Sequence, residues 1–175
     1  MSREEYPELP SKNIDTGSGL ERLACIFQQT ETNYETDLFM PLIEFVEKET
    51  GHSYQNEADK MAFRVIVDHI RSVTFAVADG ATLSNEGRGY VLRRILRRAV
   101  RYGRKLGLNQ PFLYKMVDVV VDKYQDFYGY LNDKKEIVKK IILVEEENFL
   151  KTLSTGEKKL SEMMASSTNK TISGK

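Results

Sequence analysis

The chain has 175 residues, 41% of them hydrophobic, with 26 basic and 26 acidic side chains and a formal net charge of zero. That is enough apolar material to bury one core, with at most a small appendage. The lone Cys25 excludes an internal disulfide and fits a reducing, cytoplasmic setting, no apolar run reaches the roughly 18 residues of a membrane span, and the acidic, proline-containing start Ser2-Arg3-Glu4-Glu5-Tyr6-Pro7 is no signal peptide.

The first segment with chemical content is Lys12-Asn13-Ile14-Asp15-Thr16-Gly17-Ser18-Gly19, which reads as a short strand running into a glycine turn. Residues 20–29 then take up helical spacing through Leu20, Leu23, Ala24 and Phe27. Glycines between a strand and a helix let a ligand approach the backbone. Gly-x-Gly alone is weak, lacking both the Gly-Lys-Ser/Thr of a P-loop and the third glycine of a dinucleotide site. Glu21-Arg22 strengthens it by placing a cation beside an open backbone, as a nucleotide phosphate requires.

Residues 36–50 carry Leu38, Phe39, Leu42, Ile43, Phe45 and Val46 at helical spacing and end at Gly51, a C-cap residue. Residues 59–78 read as a helix capped by Asp59 and apolar on nearly every side, hence central. Its charges are spaced to satisfy one another, Arg64 with Asp68 and Asp68 with Arg71. His69, inside this helix, reads as a satisfied core histidine.

Residues 88–105 hold eight basic side chains and no acid, whereas residues 1–59 hold thirteen acids and four bases, an asymmetry that orients a partner. At about 100° per residue, Tyr90, Val91, Leu92, Ile95, Leu96, Ala99, Val100, Tyr102 and Leu106 share one half of a helix. Arg93, Arg94, Arg97, Arg98, Arg101, Arg104 and Lys105 share the other. A solvated face mixes signs at i and i+4, yet Arg93 with Arg97, Arg94 with Arg98 and Arg97 with Arg101 are like-charged pairs. The pattern favours a polyanion over plain solvation, and seven Arg to one Lys favours phosphate.

Residues 111–128 and 132–165 read as two more helices, the last amphipathic through Ile137, Ile141, Val144, Phe149 and Leu153. The tail 166–175 has almost nothing to bury and is expected to be loose. No repeat of solenoid period is present.

In unbroken order, Asp15-Thr16-Gly17-Ser18-Gly19-Leu20-Glu21-Arg22-Leu23-Ala24, Arg64-Val65-Ile66-Val67-Asp68-His69-Ile70-Arg71, Ala78-Asp79-Gly80 and the run from Ser84-Asn85-Glu86-Gly87-Arg88-Gly89 to Arg97-Arg98 resemble the bacterial type of alanyl-tRNA synthetase. The first block is similar to the third signature motif of class II aminoacyl-tRNA synthetases. The resemblance implies a mainly α fold: a helical, bundle-like tRNA-recognition domain at 34–165, preceded at 1–33 by a strand-turn-helix remnant of a catalytic domain and followed by a flexible tail at 166–175.

Such enzymes activate alanine with ATP and Mg2+ as an adenylate and transfer it to tRNA(Ala). The resemblance implies that Arg22 is the catalytic cation on the γ-phosphate, where the leaving pyrophosphate needs positive charge. Gly19 would let ATP lie against the backbone, Asp15 would pair with the α-ammonium of alanine, and Gly17 would line the amino-acid pocket. Asn85 would meet a G·U wobble pair of the acceptor stem, with an amide that can donate and accept. Arg93, Arg97, Arg101 and Arg104 would hold its phosphates.

Blander roles stay open: a turn or cap side chain for Asp15, a surface partner of Glu21 or Glu31 for Arg22, a helix cap for Asn85. Nothing before Asp15 resembles the other two signature motifs, and the acidic partner of the wobble-reading asparagine falls beyond residue 175. The family's editing domain is missing, and His52, His69 and Cys25 cannot assemble its zinc site. The expectation is therefore a piece of a ligase, inactive alone, that works with the remaining catalytic and editing domains. The alternatives are a non-catalytic helical RNA-binding module, or an interaction module whose basic face docks on the acidic first third of the same or another chain.

Overall fold

The structure is a computed structural model and describes residues 10, 11, 13, 14 and 16–166. Among these residues the regular elements are all helical: α1 (Leu20–Gln28), a 3-10 turn (Asn33–Glu35), α2 (Met40–Thr50), α3 (Glu57–Ala78), α4 (Gly87–Lys105), α5 (Leu113–Tyr124) and α6 (Tyr130–Ser166).

Helix α3 is central, as its all-round apolar sequence requires. Phe63, Ile66, Val67, Ile70 and Val73 are fully buried, and α3 packs on α2, α4, α5 and α6. Its start differs from the sequence reading. Asn56, not Asp59, is the N-cap, its side chain accepting the Ala58 N–H. Asp59 lies in the first turn, where its carboxylate meets Asn56 Nδ2 and His52 Nδ1, each at 2.9 Å.

The charges of α3 also do not pair along the helix as expected. Arg64 donates to Glu35 at 3.2 Å and to the Tyr54 hydroxyl at 2.9 Å. Arg71 reaches Glu21 of α1 at 2.7 Å, and Asp68 takes His69 Nδ1 at 2.9 Å. A buried helix turns its arginines toward neighbouring segments, whose carboxylates are better shielded from water than an i, i+4 partner on the same exposed stripe.

Helix α2 ends at Gly51 in the left-handed region, φ 71°, as its sequence indicated. Gly103 of α4 serves a different purpose. A Cβ there would lie 2.7 Å from Phe112 Cζ and nearer still to Cε1, so α4 can approach the segment entering α5 only with glycine.

The buried stripe of α6 is rotated from the expected one. Ile137 and Val144 are exposed, while Leu131, Val138, Ile142, Glu145 and Glu146 are buried. Two glutamates continue the apolar stripe because both are satisfied from other helices. Glu146 accepts the backbone N–H groups of Phe112 (3.1 Å), Leu113 (3.0 Å) and Tyr114 (3.1 Å), capping α5.

The strand expected at 12–19 is not seen: residues 13, 14 and 16–19 are irregular, and no strand exists among the described residues. An isolated strand has no ladder to satisfy its backbone groups. Helix α1 forms as expected, but none of its residues is buried, and Phe27 is 82% exposed.

Candidate functional site

Two regions carry the residues singled out by the sequence. The first is the turn into α1. Gly19 is the N-cap of α1 and makes no side-chain cap bond. Beneath it lies a cavity of about 250 Å³ whose walls include Gly19, Arg22, Tyr34, Asp68 and Arg71.

Glu21 is committed to Arg71, whose guanidinium also lies 4.5 Å from the Phe39 ring centroid. A hydrogen bond to its own backbone and the Arg71 cation hold the Glu21 carboxyl below the usual range against the cost of burial. Arg22 does not share that pair. Its side chain is exposed and meets no carboxylate within ion-pair distance among the described residues. A Cβ at Gly17 would meet nothing, and one at Gly19 only the Arg22 stem at 3.6 Å. No neighbour among the described residues therefore demands either glycine. Asp15 lies outside the described residues.

The second region is the basic face of α4, which divides in two. Arg93 and Arg97 both donate their Nε–H to the same oxygen of Glu145, at 2.8 and 2.7 Å, and Arg104 donates to Glu157 at 2.9 Å. Three of the four arginines expected to hold phosphate are thus bound by carboxylates of α6. Arg94, Arg98 and Arg101 stay exposed. With Arg97 and His69 they line a cleft of about 450 Å³ at the α3, α4 and α6 junction, closed by Phe149, over which the Arg97 guanidinium sits at 4.9 Å. A second depression of about 410 Å³, between Arg98, Arg101, Tyr102 and Lys105, continues it along α4.

His69 is only half satisfied. Asp68 takes Nδ1, and the hydrogen bond to His69 holds the Asp68 carboxyl below its usual range against burial. Nε2 is buried with no partner among the described residues, and His69 is part of the wall of the arginine-lined cleft.

Asn85 does not cap α4. The N-cap is Glu86, without a side-chain cap bond. Asn85 is exposed, and its Oδ1 accepts a hydrogen bond from Arg93 Nη1. The backbone around it is tightly held. Gly87 has φ 57°, and a Cβ at Gly89 would fall on the Thr82 carbonyl and 2.5 Å from Ser84 Oγ.

Glu145 was missed in the sequence, although the signal was present. Val138, Ile142, Glu145, Glu146 and Phe149 fall at i, i+4, i+7, i+8 and i+11, the spacing of one helix face. Among the described residues no group of three His, Cys, Asp or Glu could hold a metal ion, and no helix is long and apolar enough to cross a membrane.

The helical body carries an arginine-rich face on α4 and is preceded by a Gly-Ser-Gly-Leu-Glu-Arg turn. Residues 1–175 match the tRNA synthetases class II (A), and the chain belongs to that family. Its relatives include the alanine–tRNA ligase of Acholeplasma laidlawii (strain PG-8A), 58% identical over 160 residues that make up 91% of this chain and 18% of that protein. The alanine–tRNA ligase of Streptococcus mutans serotype c is 52% identical over 165 residues, 94% of this chain and 19% of that protein. That of Streptococcus sanguinis is 55% identical over 157 residues, 90% of this chain and 18% of that protein. The chain spans about a fifth of the length of these relatives.

Proposed function

We propose that the chain is the part of an alanine–tRNA ligase that joins the ATP and alanine site to the tRNA acceptor stem, the whole protein working in the cytoplasm. The observation that carries this is the exposed row Arg94, Arg98 and Arg101 beside a cleft, with no carboxylate partner among the described residues, in a chain 52–58% identical to proteins of that name. Guanidinium groups spaced along one face fit a phosphate backbone and give position and affinity rather than base readout. In this reading residues 1–33 end the catalytic domain, 34–165 hold the acceptor stem, and 166–175 form a tail.

Asn85 meets the G·U wobble pair, Arg101 with Arg94 and Arg98 holds phosphates, and Arg93, Arg97 and Arg104 contribute through what α6 leaves exposed. Arg22 places its cation on the γ-phosphate of ATP. Gly17 and Gly19, whose absent Cβ atoms nothing among the described residues requires, leave room for alanine and the nucleotide, and Asp15 pairs with the α-ammonium. ATP reacts as its Mg2+ complex, which shields the charge of the leaving pyrophosphate; this chain is assigned no ligand to that ion. Filter binding of tRNA(Ala) against tRNA of another identity tests the reading. It predicts tighter retention of tRNA(Ala), and equal retention of both would contradict it.

A further inference from the structure

We propose that Arg93 is a positioning residue that decides which atoms Asn85 offers to RNA, and that Glu145 holds Arg93 in place to do so. The proposal rests on the reading of Asn85 as the group that meets the wobble pair. An asparagine side chain has two nearly isosteric orientations, differing by exchange of its acceptor oxygen and its donor NH2 group, and a guanidinium can only donate. The atom of Asn85 facing Arg93 is therefore its oxygen, as the bond from Nη1 to Oδ1 shows. The NH2 group is thereby the end of the amide that does not face Arg93, and on this exposed side chain it offers two N–H donors instead of alternating between donor and acceptor.

This works only if Arg93 is itself immobile. Its Nε–H is held by Glu145 at 2.8 Å, and that carboxylate, with its side chain 10% exposed, is in turn fixed by Arg97 at 2.7 Å. The relay thus runs from α6 through the second turn of α4 to the residue just before the α4 N-cap. The backbone end is fixed as well. The close approach of Gly89 to Thr82 and Ser84, together with the left-handed Gly87, holds the chain on both sides of Asn85. Arginine is needed because two different edges of one cation are used at once. A lysine keeps the charge but cannot bridge both partners from a fixed fork.

The test is a titration of the chain with two RNA hairpins that differ only in carrying G·U or G·C at the wobble position. Asn85→Ala, Arg93→Lys, Glu145→Gln and the double variant Asn85→Ala with Arg93→Lys are compared, with thermal melts confirming the fold. Asn85→Ala is expected to lower the preference for G·U by about fivefold or more, the scale of one good base contact. Arg93→Lys is expected to lose most of the same preference while keeping its affinity for the G·C hairpin and its salt dependence, and Glu145→Gln, which frees Arg93 without removing it, to move in the same direction. The double variant should be no worse than Asn85→Ala alone. Full preference in Arg93→Lys, with Asn85→Ala impaired, overturns the relay and leaves the wobble reading standing. Full preference in Asn85→Ala, or none in the unsubstituted chain, overturns the wobble reading and the relay together.

Discussion

The fully buried carboxylate of Glu146 accepts the backbone N–H of Leu113 at 3.0 Å, binding the middle of α6 to the first turn of α5. The same carboxylate takes the N–H groups of Phe112 and Tyr114, so one side chain satisfies three donors that a helix start leaves open. Its neighbour Glu145 ties α6 to α4. Two adjacent acids thus lock the long helix to α5 and α4, while α3 packs against it as well.

Burial pushes the Glu146 carboxyl up to about 6, although the three N–H donors favour its charged form. A folded-state value above the ordinary 4.5 means that this group's stabilisation is complete below pH 4.5 and is lost as pH rises through 6. The loss is about 2 kcal/mol, at 1.36 kcal/mol per unit. Urea unfolding of the wild type and Glu146→Gln should therefore show the cost of the substitution shrinking by up to that amount between pH 4.5 and 7. Glu146→Ala should cost about 3 kcal/mol or more at any pH, because it leaves buried N–H groups unpaired.

Glu35 behaves oppositely. Burial raises its carboxyl, but hydrogen bonds from Thr32, Tyr54 and Arg64 outweigh that and bring it down to about 2. Its contribution is present above pH 4.5 and disappears as pH falls through 2. Allowing for solvent screening at this partly open site, Glu35→Gln should cost no more than about 2 kcal/mol at pH 7. Acid unfolding curves of the two proteins should converge toward pH 2.

Gly103→Ala places a methyl group into the Phe112 ring and should destabilise the chain by about 1–3 kcal/mol. Gly156→Ala is the control, since nothing lies within 4 Å of that site on exposed α6. It should instead stabilise by about 0.5–1 kcal/mol through helix propensity. Chemical denaturation of both variants at one pH compares the signs.

On the proposed role of Arg22, Arg22→Ala in the full-length protein should lower alanine-dependent ATP–pyrophosphate exchange by at least about a hundredfold, the scale of losing one charge-stabilising donor. Binding of an acceptor-stem hairpin should remain nearly unchanged. Equal loss of both would show that the substitution unfolds the region.

Helical periodicity disclosed the helices because each buries a continuous stripe, and the charge of residues 88–105 disclosed the basic face. What periodicity could not disclose was which arginines are already occupied. Arg93 and Arg97 meet Glu145 across 52 and 48 residues, and Arg64 meets Glu35 across 29. A helical wheel gives direction but not the neighbour waiting there. It therefore grouped Arg93, Arg97 and Arg104 with Arg101, although the first three have carboxylate partners on α6. His69 reads as satisfied for the same reason, since whether Nε2 finds a partner depends on the helices packed around it, and among the described residues it has none. The α6 stripe was placed on Ile137 and Val144 because a reading by hydrophobicity skips buried glutamates.

On the proposed function, Arg94, Arg98 and Arg101 of α4 hold the acceptor-stem backbone while the carboxylate-bound arginines contribute less. The most direct measurement is the affinity of an acceptor-stem hairpin at two salt concentrations for Arg101→Gln and Arg104→Gln. Arg101→Gln is expected to weaken G·U and G·C hairpins alike and to make the salt dependence shallower by roughly one counterion, with Arg104→Gln affecting both much less. Equal losses from the two substitutions, or an unchanged salt slope in Arg101→Gln, would contradict it.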